Sequence, residues 1–107
     1  MSAENKIPKT YIQFREDYPE VAKNYEALGQ SLSELGALDA RTVALVKLAL
    51  AVASQREGGV HSAVRKGLDA GVTAEEMRQV ALMGIGAIGF SSAMAAFSWV
   101  GDVVEGE

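Results

Sequence analysis

The only histidine of the chain, His61, has an acidic and a basic residue at helical spacing on either side. Glu57 precedes it by four residues and Arg65 follows it by four, so the three side chains would share one face of a helix. A carboxylate beside an imidazole orients the ring, and an oriented imidazole can serve as a general acid or base. We therefore predict His61 and Glu57 as the candidate catalytic residues.

Groups that could hold an anionic substrate lie next to this pair. Gly58 and Gly59 place backbone amides where a helix is expected to begin, and free amides at a helix N-terminus favour negative charge. Arg56 and Arg65 add guanidinium groups. We predict these four residues as binding residues for a small anionic ligand. The residues alone leave another interpretation open, in which His61 is a hydrogen-bonded surface or subunit-contact residue.

Several classes of site are not expected from the composition. The chain has no cysteine, which excludes disulfides, thiolate nucleophiles and zinc sites with cysteine ligands. One histidine with scattered carboxylates has no recognised metal-ligand spacing, so neither a metal nor another cofactor is predicted. The G-x-G-x-x-G pattern from Gly84 to Gly89 follows no predicted strand, so these glycines indicate close helix packing and not dinucleotide binding. A net charge of −4 argues against a nucleic-acid partner.

The apolar residues recur with a helical period, and no alternating strand pattern interrupts them. We predict an all-α bundle of five or six helices, with residues 1–10 as a flexible arm and residues 11–107 as a single domain. The helices are predicted over residues 11–17, 19–35, 40–53, 60–69, 74–89 and from 91 or 92 to 104. The few aromatic and many small side chains favour an oligomer that completes its core with a partner subunit.

Local signals define several helix ends. Asp39 is a predicted N-cap, and Thr73 with Glu76 forms a predicted capping box. Residues 81–100 carry no charge, but their many glycine, serine and alanine residues indicate two buried helices and no membrane span. The first residues lack the apolar core of a signal peptide, so a cytoplasmic location is expected.

The segment from Leu38 to about Trp99 resembles the carboxymuconolactone decarboxylase and alkyl-hydroperoxidase D family. The most specific part of the resemblance is H-x-x-x-R-K-x-L-x-A-G-x-T-x-E-E, from His61 to Glu76. The resemblance implies an all-α fold built around a helical hairpin, and assembly as a trimer or a hexamer. The decarboxylases of the family act on a small anionic lactone through acid–base residues, and its peroxidases use a glutamate, a C-x-x-C pair and a histidine.

The peroxidase residues are missing from this chain. The positions of the relay glutamate, the two cysteines and the histidine would be held by Ala44, Arg56, Gly59 and Ala63. His61 matches another histidine found in many members. Together with Glu57, it resembles an E-G-x-V-H variant of the family that lacks the redox pair. Peroxidase activity by the thiol route therefore requires residues that this chain does not have.

Three hypotheses for the function follow. The first is an oligomeric small-molecule-binding or degenerate family member whose peroxiredoxin-type activity is lost. The alternative is an acid–base lyase without a cofactor, which would decarboxylate a small anionic lactone or keto acid with His61 and Glu57. The third is a redox role with an external thiol or a bound cofactor. Whether the protein is an enzyme is left open by the sequence.

Overall fold

The computed structural model describes residues 7–106, and helix is the only regular secondary structure in that range. Its seven helical segments are α1 (Lys9–Asp17), α2 (Pro19–Ser33), α3 (Ala40–Ala53), α4 (Glu57–Asp69), α5 (Ala74–Met83), α6 (Ile85–Ile88) and α7 (Phe90–Val104). The predicted all-α class is confirmed. The contacts divide the chain into two compact units, one up to residue 38 and the other from residue 39.

The first unit contains α1 and α2. Tyr18 separates these helices because a residue before proline disfavours the helical conformation, and Pro19 then occupies the start of α2 as predicted. The helix α1 begins at Lys9, so Lys9 and Thr10, which fall in the predicted flexible arm, are helical. Ile7 and Pro8 precede this helix, and residues 1–6 of the predicted arm lie outside the described residues.

The apolar stripe of α2 is exposed. Ala22 is the one buried residue of this helix. The large apolar side chains of α2 and of the turn that follows recur at alternating intervals of four and three residues, and each is more than half exposed: Val21, Tyr25, Leu28, Leu32 and Leu35. We refer to these five residues as the α2 stripe.

The second unit is organised around a core shared by α3, α4, α5 and α7. The helices α3 and α4 form an antiparallel hairpin, and α7 packs against both α4 and α5. Buried side chains from these elements form one cluster: Leu48, Val52, Val60, Val64, Val72, Met77, Ala81, Ala96, Val100 and Val103. Most of these side chains are small, which allows the helix backbones to approach closely.

Caps define the starts of α3 and α5, as predicted. The Thr42 amide donates to Asp39 Oδ1 at 2.7 Å. At α5 the Glu76 amide donates to Thr73 Oγ1 at 3.1 Å, and the Thr73 amide donates to Glu76 Oε1 at 2.8 Å. Because each cap satisfies amides that have no partner within the helix, these short motifs fix where the two helices begin.

The helix α4 begins three residues earlier than predicted. The Val60 amide donates to the Arg56 carbonyl at 2.8 Å, so Glu57, Gly58 and Gly59 form the first helical turn. The sequence predicts that residues 55–59 interrupt the helical pattern and that Val60 resumes it. Here Arg56 has an extended backbone and acts as the N-cap.

The helix predicted to reach Gly89 is divided at Gly84. The Gly84 amide donates to the carbonyl of Ala81, three residues back, which tightens the end of α5. A Cβ at Gly84 would lie 3.0 Å from that carbonyl oxygen and 3.4 Å from a methyl of Val52, so a larger residue here would make its neighbours shift slightly. Gly86 and Gly89 have no neighbour within 4 Å of such a Cβ, so the predicted packing role applies to Gly84.

The turn between α3 and α4 is attached to α7. Gln55 has a φ of 53°, the one positive φ of a non-glycine residue in the described part of the chain. Its side-chain amide donates to the carbonyl of Ser92 at 2.9 Å and to that of Val52 at 3.1 Å. These bonds hold the turn immediately before Glu57 against the first turn of α7.

The uncharged segment over residues 81–100 spans parts of α5 and α7 and all of α6. Within residues 7–106, none of the helices combines the length and the hydropathy that a membrane crossing requires.

Candidate acid–base site

Three side chains that can transfer protons or bind cations lie together on α4 and α7. Glu57 lies in the first turn of α4, His61 one turn later, and Asp102 in the last turn of α7. The ligand atoms of these three residues all lie within 4.8 Å of one another. We call this group the Glu57–His61–Asp102 cluster. The structure thus brings the two predicted catalytic candidates together and adds a second carboxylate.

His61 and Asp102 make a direct contact. The imidazole Nε2 lies 2.9 Å from Asp102 Oδ2, and the two side chains are 25% and 55% exposed. Because an ionised carboxylate can only accept hydrogen bonds, Nε2 carries the proton in this contact and Nδ1 is left for another partner. The arrangement leaves the imidazole accessible while the carboxylate orients the ring.

The two helix ends affect the carboxylates of the cluster differently. Glu57 lies at the N-terminus of α4, where the helix dipole favours a negative charge. Asp102 lies near the C-terminus of α7, where the dipole favours a cation beside it. The cluster therefore holds two formal negative charges around one imidazole, an arrangement of groups that can bind a cation.

A groove adjoins the cluster at Asp102. It has a volume of about 510 Å³ and is lined by Arg78, Phe97, Ser98, Gly101, Asp102, Glu105 and Gly106. Within it, Arg78 forms an ion pair with Glu105 at 3.2 Å. The groove thus combines an aromatic ring, a hydroxyl and a guanidinium group beside the carboxylate that orients His61.

The predicted anion-binding residues make no side-chain hydrogen bond or ion pair within residues 7–106. Arg56 is the exposed N-cap of α4, and Arg65 follows His61 by one turn of the same helix. Within residues 7–106, neither guanidinium group forms a hydrogen bond or an ion pair. Gly58 and Gly59 are exposed in the first turn of α4. The binding role of these four residues stays a prediction.

Two residues of the site were not found from the sequence. Asp102 is the sole charged residue of α7, and a single carboxylate in an otherwise uncharged helix could have marked it. Arg78 gives no such signal, because a basic residue in the middle of α5 fits an ordinary solvated helix face.

Two carboxylates outside the cluster cap helices, and the hydrogen bonds that they accept lower their pKa values. The Thr42 hydrogen bond lowers the pKa of Asp39. The backbone amide of Thr73 lowers the pKa of Glu76, and the Arg41 guanidinium that bonds the same carboxylate lowers it further. Since both groups accept hydrogen bonds at helix starts, we assign them to the stability of α3 and α5.

A second groove, of about 300 Å³, lies between α3, α5 and α6. Its lining includes Leu50, Val80, Met83 and Ile88, and no titratable side chain faces it. It offers apolar contact area and no acid–base chemistry.

Comparisons with known proteins agree with this fold. The sequence model of the carboxymuconolactone decarboxylase family matches residues 19–102, which include all three residues of the cluster. No curated protein and no solved structure matches the chain.

Proposed function

Because this chain belongs to the carboxymuconolactone decarboxylase family, we propose that it is an acid–base lyase that removes a carboxyl group from a small anionic lactone or keto acid. The observation that carries the proposal is the 2.9 Å contact between His61 Nε2 and Asp102 Oδ2. It gives an accessible imidazole an orienting carboxylate partner, an arrangement in which a histidine can act as a general acid or base.

The proposed roles follow from the geometry. His61 is the catalytic residue that gives a proton to the substrate and regains one from solvent. Asp102 is a positioning residue, since it accepts a hydrogen bond from the ring and thereby orients it. Glu57 places a second carboxylate within 4.8 Å of the ring nitrogen.

The proposed reaction breaks the bond between the carboxyl carbon and the neighbouring carbon of the substrate. The carboxyl group leaves as CO₂, and the electron pair of the broken bond is delocalised into an adjacent carbonyl or double bond. The resulting carbanion takes a proton from the His61 imidazolium. No electron is exchanged with an external donor, so the cycle requires neither a thiol nor an oxidant.

Two cations are available to hold the anionic substrate. Arg65 lies one turn beyond His61 on α4 and makes no ion pair with a described residue. Arg78 lines the groove at Asp102, where its partner Glu105 is 73% exposed and can exchange for a substrate carboxylate. A substrate in that groove would reach the edge of the His61–Asp102 pair.

The proposal is tested by supplying unsaturated lactone carboxylates and β-keto acids to the full chain and measuring released CO₂. We expect turnover by the wild type, a loss of about 100-fold or more in His61→Gln, and unchanged turnover in Asp69→Asn. Turnover that survives His61→Gln would contradict the role of the imidazole. Binding of the same compounds without turnover would instead favour the small-molecule-binding function predicted first from the sequence.

We also propose that the peroxidase activity of the family is lost in this chain. The support is the absence of any cysteine, since the thiol cycle needs an attacking and a resolving sulfur. With a peroxide and a thiol donor, the protein should give no more peroxide consumption than buffer. Sustained consumption would favour the third hypothesis, a redox role with an external thiol or a bound cofactor.

We further propose that the protein assembles with copies of itself, as a trimer or a hexamer. The support is the α2 stripe, whose five large apolar side chains are more than half exposed. Its alternating intervals of four and three residues are those with which a helix packs along an identical helix. Such a surface is costly to leave in water, so we assign it to contacts between copies of this chain.

A further inference from the structure

We propose that the Glu57–His61–Asp102 cluster binds a divalent transition-metal ion, with Zn²⁺ as the representative ion. The cluster offers one imidazole nitrogen and two carboxylate oxygens, all within 4.8 Å of one another. Nitrogen and oxygen donors of these types bind Zn²⁺, and three protein ligands with the remaining positions open to water are typical of accessible zinc sites.

The distances are compatible with one shared ion. Zinc–nitrogen and zinc–oxygen bonds of about 2.0–2.1 Å in a tetrahedral site place neighbouring ligand atoms about 3.3 Å apart. His61 Nε2 and Asp102 Oδ2, at 2.9 Å, are already near that separation. Glu57 is exposed, so a rotamer change of its side chain can close the remaining distance.

Two packed helices hold the ligands in place. On α4, His61 follows the fully buried Val60, and on α7, Asp102 lies between the buried Val100 and Val103. These neighbours anchor both backbones in the core, so the ion does not have to order two flexible segments. This preorganisation distinguishes the cluster from an ordinary group of surface carboxylates.

The electrostatic setting also favours a cation. Glu57 and Asp102 contribute two formal negative charges, and Asp102 lies at the helix end whose dipole attracts positive charge. In the metal-free protein, the hydrogen bond from His61 offsets part of the negative charge at Asp102. A divalent ion would offset more, because it would neutralise both carboxylates at once.

The sequence predicted no metal site because one histidine with scattered carboxylates shows no recognised metal-ligand spacing. The third ligand comes from 41 residues away, where no local spacing could have indicated it. Metal binding here does not rest on the proposed lyase function. Since the ion would replace the hydrogen bond between Nε2 and Asp102 that orients the ring, the metal-bound protein would be the inactive form of that proposed enzyme.

Isothermal titration of the full chain with Zn²⁺ tests the inference. We expect one ion per chain in the wild type and at least tenfold weaker binding in Asp102→Asn and in His61→Gln. Asp69→Asn removes a carboxylate at the far end of α4 and should leave the affinity unchanged. Circular dichroism of each variant verifies that the helices are intact.

A nuclear magnetic resonance titration locates the ion independently. The lone histidine gives one set of imidazole signals, and Zn²⁺ should shift these signals in the wild type with the same stoichiometry. Absence of binding, equal affinity in all four proteins, or binding without a change in the imidazole signals would each overturn the inference. None of these results would bear on turnover in metal-free buffer, so the lyase proposal is judged separately.

Discussion

His61 and Asp102 are 41 residues apart in the sequence, yet the imidazole Nε2 lies 2.9 Å from the carboxylate Oδ2. The contact depends on how α4 packs against α7. Val60 and Val64 on one helix and Val100 on the other are fully buried, and their packing fixes the separation of the two backbones. The geometry of the site is therefore a consequence of the core beneath it.

Removing the carboxylate should free the imidazole. In the wild type, the hydrogen bond to Asp102 slows exchange of the Nε2 proton with water, so a ring N–H signal should be visible by proton–nitrogen correlation spectroscopy. In Asp102→Ala the acceptor is gone, and we expect that signal to be lost through fast exchange. The control Asp69→Ala should retain it. A signal that persists in Asp102→Ala would show that another group holds the ring.

A charge within the α2 stripe should weaken self-association. Leu28 is 58% exposed near the centre of the stripe, and Leu28→Glu would place a carboxylate in the proposed contact between copies. Size-exclusion chromatography with light scattering should show a smaller assembly for this variant than for the wild type. The matched control is Ala27→Glu, where the preceding residue is turned about 100° around the helix. Equal masses for both variants, or a monomeric wild type, would contradict the role of the stripe.

The same Leu→Ala substitution at a buried and at an exposed position of α3 shows how much burial contributes to stability. Leu48 is 1% exposed, and Leu50, two residues later, is 63% exposed. Leu48→Ala should lower the free energy of unfolding by about 2–5 kcal/mol, because it leaves a cavity in the core. Leu50→Ala should change that free energy by no more than about 0.5 kcal/mol. Urea denaturation followed by circular dichroism measures both; similar losses would mean that the core is not centred on Leu48.

The capping box of α5 should contribute a stability that depends on pH. The Thr73 amide and the Arg41 guanidinium lower the pKa of Glu76 below its ordinary value of 4.5 in the folded protein. The stabilisation is therefore present above about pH 4.5 and is lost as the pH falls through the lower folded value. Glu76→Gln should be less stable at neutral pH and should show a shallower decline of the unfolding free energy on acidification.

The neighbouring substitution Glu75→Gln is the control for the capping box. Glu75 lies in the same first turn of α5, but its carboxylate forms no hydrogen bond with any residue in the described range. The unfolding free energy of the Glu75→Gln variant should vary with pH as that of the wild type does. If the pH dependence of Glu75→Gln instead matches that of Glu76→Gln, the effect comes from negative charge in the first turn of the helix and not from the capping box.

Local sequence signals predicted most of the fold. Asp39 and the Thr73–Glu76 pair identify helix starts because a short side chain can bond amides only two or three residues away. Pro19 marks a helix boundary because its ring disfavours the helical conformation at Tyr18, the residue before it. Such effects are contained within one turn of helix, so a single sequence is enough to recognise them.

The remaining features depend on contacts between distant segments. The close packing at Gly84 involves Val52 and Ala93, which belong to other helices. Asp102 joins the site because α7 packs on α4. Residue spacing within one helix does not show which distant helix packs against it. Two of the three residues of the Glu57–His61–Asp102 cluster, Glu57 and His61, were thus predictable from their spacing, and Asp102 was not.

The side-chain amide of Gln55 bridges the turn that leads into Glu57 and the helix that carries Asp102. Opening this turn therefore breaks a contact with the first turn of α7. Replacing the Gln55 amide would leave the segment before Glu57 without its side-chain bond to that helix.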